Sequence, residues 1–187
     1  MNLKSALKLF IIGSRPKTFP ICLCPVMLGS CWAFINKSFH LPSLIIISLA
    51  SLLILIGTNL ANDYFDYING ADTKKRTGPQ RLNQLPEINH KLIKTAFVVS
   101  FMLAFFAGVY LMNRGGFPII IIGIFSIICG ILYTGGPYPL GYNGLGDIFA
   151  FLFFGPIATA GTYYLHTFQF SFESCLLGLS TGFFAVA

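Results

Sequence analysis

Leu44-Ile45-Ile46-Ile47-Ser48-Leu49-Ala50-Ser51-Leu52-Leu53-Ile54-Leu55-Ile56-Gly57-Thr58-Asn59-Leu60-Ala61 carries no charge and runs straight into Asn62-Asp63-Tyr64-Phe65-Asp66. In water its β-branched start, like Ile119-Ile120-Ile121-Ile122 further on, would favour a strand. In hydrocarbon a lone strand leaves its N–H and C=O groups unpaired, so a helix wins. A barrel would need period-two alternation, which this run lacks. Residues 42–61 therefore read as one membrane span, since about 20 apolar residues cross the hydrocarbon core.

Outward from this run the pattern repeats. Spans are expected near 18–36, 42–61, 92–112, 117–134, 147–166 and 172–187, giving an all-α polytopic bundle in a single membrane domain over 1–187. The 187 residues are 55% hydrophobic and 10% charged, with mean hydropathy +0.76. A soluble domain carries about 25% charged residues, so an integral membrane protein is the class that fits. No single signal peptide explains runs spread along the whole chain. Pro16 can open a helix and Pro25 is expected to kink the first span. Gly115-Gly116-Phe117-Pro118 reads as a short turn between the third and fourth spans.

The net charge is +6, and its placement says more than its size. Lys4, Lys8, Arg15 and Lys17 precede the first span; Lys74, Lys75, Arg76, Arg81, Lys91 and Lys94 lie around the second connection. Only Lys37 and Arg114 fall elsewhere. This positive-inside bias puts the N-terminus and the 62–91 loop in the cytoplasm, in a multi-pass protein of the inner (plasma) membrane. Basic residues beside bilayer spans argue against nucleic acid as a partner. The alternation of spans puts the 134–146 connection on the same side.

Three of the six acidic residues, Asp63, Asp66 and Asp72, fall within ten positions. Ionisable groups at a bilayer edge mark functional sites. With Asn62, Asp63 and Asp66 at a helix end, about 100° per residue puts all three within an arc of about 100°. Asn62 and Asp66 are i and i+4, on one face, and could bind a hard cation. Mg²⁺ prefers one or two carboxylates, water and phosphate oxygens. Asn69-Gly70 should end the helix, leaving Asp72 in the loop to join the metal or orient its waters. Lys74, Lys75, Arg76 and Arg81 offer charge for phosphate, with Gly78-Pro79 turning Arg76 and Arg81 toward one ligand. The plainer alternative pairs Asp63 and Asp66 with Lys74 and Lys75, the basic run being a topology signal alone.

The second loop, Tyr133-Thr134-Gly135-Gly136-Pro137-Tyr138-Pro139-Leu140-Gly141-Tyr142-Asn143-Gly144-Leu145-Gly146-Asp147, permits close backbone approach and brings aromatic faces with polar tips. Tyr138 and Tyr142 equally suit an interfacial aromatic belt. Asp147 reads as a helix N-cap. Cys22, Cys24, Cys31, Cys129 and Cys175 read as small buried hydrophobes, without zinc-site spacing. His40, His90 and His166 are too scattered to form a metal site by spacing, and no nucleophile has a base nearby in sequence.

Asn59-Leu60-Ala61-Asn62-Asp63-Tyr64-Phe65-Asp66-Tyr67 with Gly70-Ala71-Asp72-Thr73 resembles the first aspartate-rich motif of the UbiA superfamily of membrane prenyltransferases. Arg76, Gly78-Pro79 and Arg81 fit its continuation. Arg15-Pro16-Lys17-Thr18, Tyr133-Thr134-Gly135-Gly136-Pro137 and Gly144-Leu145-Gly146-Asp147, leading to Phe153-Phe154-Gly155, are similar to its N-terminal signature and second loop. The order is kept over nearly the whole chain. The resemblance is closest to the branch that uses 1,4-dihydroxy-2-naphthoate in menaquinone synthesis.

That resemblance implies a helical bundle around a central cavity, a polyprenyl diphosphate donor, an aromatic acceptor and Mg²⁺ as cofactor. It implies Asn62 and Asp66 as metal ligands, with Asp63 and Asp72 supporting them in catalysis. Lys74, Arg76 and Arg81 would contact diphosphate, and Tyr133 and Tyr142 the acceptor. It also implies about nine spans and a second aspartate-rich motif, neither of which this sequence contains. The last run, ending Phe183-Phe184-Ala185-Val186-Ala187 without a polar tail, reads as a chain cut off, with little or no transferase activity expected of it alone. A 4-hydroxybenzoate acceptor is the alternative within the enzyme reading. A small transporter for anions or lipid diphosphates, and an inactive remnant, are the alternatives outside it.

Overall fold

The structure is a computed structural model that describes residues 10–70, 82 and 89–187. Its described elements are helical, as the apolar runs require. A 3-10 turn, Pro16–Thr18, leads into α1, Phe19–Ile35, with Pro20 in its first turn. Pro25 lies inside α1, which continues past it. Cys22, Pro25, Val26, Gly29, Ser30 and Ala33 form its buried stripe, at the i, i+3, i+4, i+7 spacing of one helix face.

α2, Leu41–Ile68, has 28 residues. At 1.5 Å per residue it is about 42 Å long, more than the ~30 Å hydrocarbon core. Its last two turns carry the acidic motif, so the motif continues the span's own helix. Asn69 caps α2 at its C-terminal end and Gly70 follows at φ 65, as Asn69-Gly70 predicts. At the other end the His40 side chain accepts from the Ser43 amide.

α3 is His90–Gly115, capped by Asn89. Gly116, at φ 69, joins it to α4, Phe117–Leu132; only a glycine takes that conformation at little cost. The expected fifth span is broken into α5, Gly146–Phe153, and α6, Pro156–Thr167. α7 is Phe172–Val186, capped by Ser171. Four spans, Phe10–Ile35, Leu41–Ile68, His90–Gly115 and Gly146–Thr167, are long and apolar enough to cross a membrane. α4 and α7 are shorter, at 16 and 15 residues. The expected Asp147 cap is corrected: Leu145 takes that position and Asp147 lies inside the first turn, where its charge complements the helix dipole. Cys24 and Cys31 are also corrected, since both face outward on α1.

The spans alternate in direction, with α5 and α6 together making one span, so the bundle has two ends. Beneath the acidic end, Leu60, Ala61, Leu82, Ile93, Phe97 and Phe101 form one core. Toward the other, Val26, Ile47, Ala50, Leu111, Ile119 and Leu165 form a second. α1 packs closely on α6: a Cβ built on Gly29 would lie 2.4 Å from the Thr159 carbonyl oxygen. The far end is tied by polar groups. His166 Nδ1 accepts from the His40 amide at 3.1 Å, and its Nε2 lies 2.9 Å from Ser30 Oγ. Arg114 donates to the Leu165 carbonyl at 3.0 Å and sits over the Phe168 ring. His40 and His166, far apart in sequence, thus work as structural polar links.

Candidate active site at the acidic helix end

Asn62, Asp63 and Asp66 are all buried, at 7%, 1% and 2% exposure. Buried carboxylates are costly unless paired, and each finds a partner far away in sequence. Asp63 forms a salt bridge with Arg15. Asp66 accepts a hydrogen bond from the Tyr142 hydroxyl. Asn62 Oδ1 accepts from Thr134 Oγ1 at 3.0 Å. Asn69 Nδ2 donates to the Thr134 carbonyl at 3.1 Å. The helical spacing explains the division: Asn62 and Asp66, one turn apart, both meet the second loop, and Asp63, rotated from them, meets the N-terminal segment.

Arg15 has φ 51 and ψ 67, in the left-handed region. A non-glycine residue there costs on the order of 1–3 kcal/mol and persists where its surroundings hold it. Thr18 Oγ1 donates to the Arg15 carbonyl at 2.8 Å. The buried Asn59 amide donates to the Ser14 carbonyl at 3.1 Å and to Thr18 Oγ1 at 3.3 Å.

Beside these groups opens a cavity of about 720 Å³. Arg15, Thr18, Asn59, Asn62 and Tyr133 line its polar end; Ile47, Leu55, Ile119, Phe153 and Leu165 are among its apolar walls. It reaches from the acidic motif to the second core, so a ligand with a polar head and a long apolar tail matches its division. The second loop closes one side of the mouth: Tyr133 occupies the space beside Gly141 and Gly146, where a Cβ would lie 3.0 Å from its carbonyl oxygen and 2.9 Å from its hydroxyl, respectively.

Of the residues read from sequence, the structure brings together Asn62, Asp63, Asp66, Tyr133 and Tyr142. Tyr142 reaches Asp66 with its hydroxyl while half its surface stays exposed. Asp72, Lys74, Arg76 and Arg81, with Lys75, lie outside the described residues. Three partners were missed by sequence reasoning: Arg15 as the counter-ion of Asp63, Thr134 as the partner of Asn62, and Asn59 behind Arg15. Arg15 and Thr134 stood in the quoted motifs, but nothing local joins residues 48 or 72 apart.

The donor set is hard oxygen: two carboxylates and one amide within two helical turns. Among the described residues no three His, Cys, Asp or Glu side chains converge to hold a metal. An ion held here by Asn62 and Asp66 would need ligand phosphate oxygens or water to complete its shell, which suits Mg²⁺.

Comparison with known proteins bears on the same residues. The chain is 34% identical to a 1,4-dihydroxy-2-naphthoate octaprenyltransferase of Haemophilus influenzae, over 97% of this chain and 61% of the relative. It is 34% identical to a protein of the same description from Mycobacterium tuberculosis, over 92% of this chain and 59% of the relative. It is 30% identical to a 2-carboxy-1,4-naphthoquinone phytyltransferase of Synechocystis, over 93% of this chain and 57% of the relative. The chain thus spans about three fifths of the length of these relatives. The profile of the UbiA prenyltransferase family matches residues 22–187, from the buried stripe of α1 through the acidic motif and second loop to α7, and the chain belongs to that family.

Proposed function

We propose that this chain forms the donor site of a prenyltransferase that moves a polyprenyl group from its diphosphate to 1,4-dihydroxy-2-naphthoate, in menaquinone synthesis. The observation that carries this reading is the buried Asn62-Asp63-Asp66 group, whose Asn62 lines the polar end of a long apolar cavity. Such a cavity takes the prenyl tail, and its mouth takes the diphosphate. The naphthoate acceptor is supported by the three relatives named above, whose descriptions specify a dihydroxynaphthoate or a carboxynaphthoquinone.

Asn62 and Asp66 would hold Mg²⁺, with Asp63 and Asp72 supporting them. When bound, the metal offsets charge on the departing diphosphate. Lys74, Arg76 and Arg81 add fixed positive charge on the diphosphate oxygens. Arg15 holds Asp63 in place through their salt bridge. Thr134 and Tyr142 orient Asn62 and Asp66. Tyr133, at the cavity wall, offers a ring face to the acceptor, and the apolar walls exclude water from the reacting carbon. The basic segments favour a cytoplasmic acidic end at the inner membrane, and a single membrane domain over 1–187 is part of the same reading.

Binding of farnesyl diphosphate to the purified chain in nanodiscs tests the reading. Mg²⁺-dependent binding is expected, and Asp66→Asn should weaken it by about tenfold or more while the helical content is kept. Full-strength binding by Asp66→Asn, or binding indifferent to Mg²⁺, would overturn the metal assignment.

A further inference from the structure

We propose that Asn59 is a positioning residue: it holds Arg15 in its left-handed backbone conformation and thereby aims the guanidinium at Asp63. The two peptide groups on either side of the Arg15 Cα are each tied by a side chain. The Ser14 carbonyl, which precedes Arg15, accepts from Asn59 Nδ2 at 3.1 Å. The Arg15 carbonyl, which follows it, accepts from Thr18 Oγ1 at 2.8 Å. The Arg15 carbonyl also accepts from the Thr18 amide at 2.9 Å; Asn59 Nδ2 donates to the Thr18 oxygen at 3.3 Å, so one side-chain amide touches the groups on both sides of Arg15. Fixing both flanking peptide planes fixes φ and ψ of the residue between them.

The placement of Asn59 favours this role. It is 6% exposed and stands three residues before Asn62 on α2, so the helix that carries Asp63 also carries the group that shapes the partner of Asp63. Ser14, whose carbonyl it grips, is 4% exposed. A left-handed arginine has no intrinsic reason to stay so. Released, Arg15 relaxes to a right-handed or extended backbone, and its side chain leaves in another direction. Asp63 then loses Arg15 as a counter-ion. The functional consequence rests on the diphosphate-site reading above; the pairing itself does not.

Arginine-specific modification by phenylglyoxal, followed residue by residue with mass spectrometry on the full chain in nanodiscs, tests it. Arg114, held by Leu165 at the other end, is the internal reference. Asp63→Asn gives the rate for an unpaired Arg15. Asn59→Leu, close in size but without the donors, should raise the Arg15 rate about threefold or more toward that level and leave Arg114 unchanged. Thr18→Val, which keeps the Ser14 bond, should give an intermediate rate and carries the test if Asn59→Leu does not fold. An Arg15 rate equal to wild type in the folded Asn59→Leu, or in Thr18→Val when that variant alone folds, overturns the proposal. In parallel, Mg²⁺-dependent pyrophosphate binding should weaken by about tenfold in Asn59→Leu. Equal pyrophosphate affinity in the two proteins overturns the functional consequence. A faster Arg15 with no pyrophosphate binding by wild type leaves the positioning role standing and removes the diphosphate reading.

Discussion

Tyr142 brings the second loop onto Asp66 through a single hydroxyl. A partner of this kind orients a carboxylate and so sets how well it can serve as a ligand. Tyr142→Phe keeps the ring and removes the donor. The half-saturating Mg²⁺ concentration for farnesyl diphosphate binding is expected to rise by about tenfold, with little change at saturating metal. A titration of Mg²⁺ at fixed ligand checks this, and an unchanged midpoint would show the hydroxyl to be idle. At this scale the sequence was partly legible. Asn62 and Asp66 could be placed on one face because helical spacing is local information. Arg15 could not be paired with Asp63, because that contact depends on a backbone conformation arginine rarely adopts and on a side chain 45 residues from Ser14.

At the scale of elements, close contacts between helices decide what can change. The Gly29 position on α1 faces the Thr159 carbonyl of α6, 2.4 Å from where a Cβ would stand. Backbone cannot yield as a flexible side chain can. Gly29→Ala is therefore expected to destabilise the protein by about 1–3 kcal/mol, seen as a lower melting temperature in detergent. Gly108→Ala, where a Cβ meets nothing within 4 Å, should be nearly neutral in the same assay. The six apolar stretches were legible from hydropathy, and so were the stops at Asn69-Gly70 and Gly116. The break between α5 and α6 was not, since apolar residues continue through Phe154. Its signal was present in Gly155-Pro156: a Cβ at Gly155 would stand 2.8 Å from the Gly178 carbonyl oxygen and the Gly182 Cα. Pro156 then opens a new helix with a preset φ. The shape of the neighbour, α7, fixes that break, and composition along one span does not report it.

Across the whole molecule, the end opposite the acidic motif is held by neutral histidine. His40 accepts from the Ser43 amide at Nδ1, a bond that needs that nitrogen unprotonated. Burial, and then the nearby Arg114 charge, hold His40 below its ordinary value of 6.5. Arg114 and His166 are the charged and titratable groups that meet it. The unfolded chain takes up the proton near 6.5 and the folded chain only at lower pH, so the unfolded state binds more protons in between. Stability is then fully present above about 6.5 and lost as pH falls through the folded value. The melting temperature should drop between pH 7.5 and pH 5.5. His40→Asn, which keeps a capping acceptor without a titrating ring, should flatten part of that drop.

The same end has a consequence for how the protein is made. The polar face of α1 is completed by α6, through Gly29 on Thr159 and Ser30 on His166, partners 136 residues apart in the latter pair. At about 5–20 residues per second, α1 leaves the ribosome on the order of 10 s before its partner exists. During that interval α1 has α2 to pack against, but Ser30 and the backbone at Gly29 sit without α6. Made well before α6, α1 thus completes its packing late among the described helices.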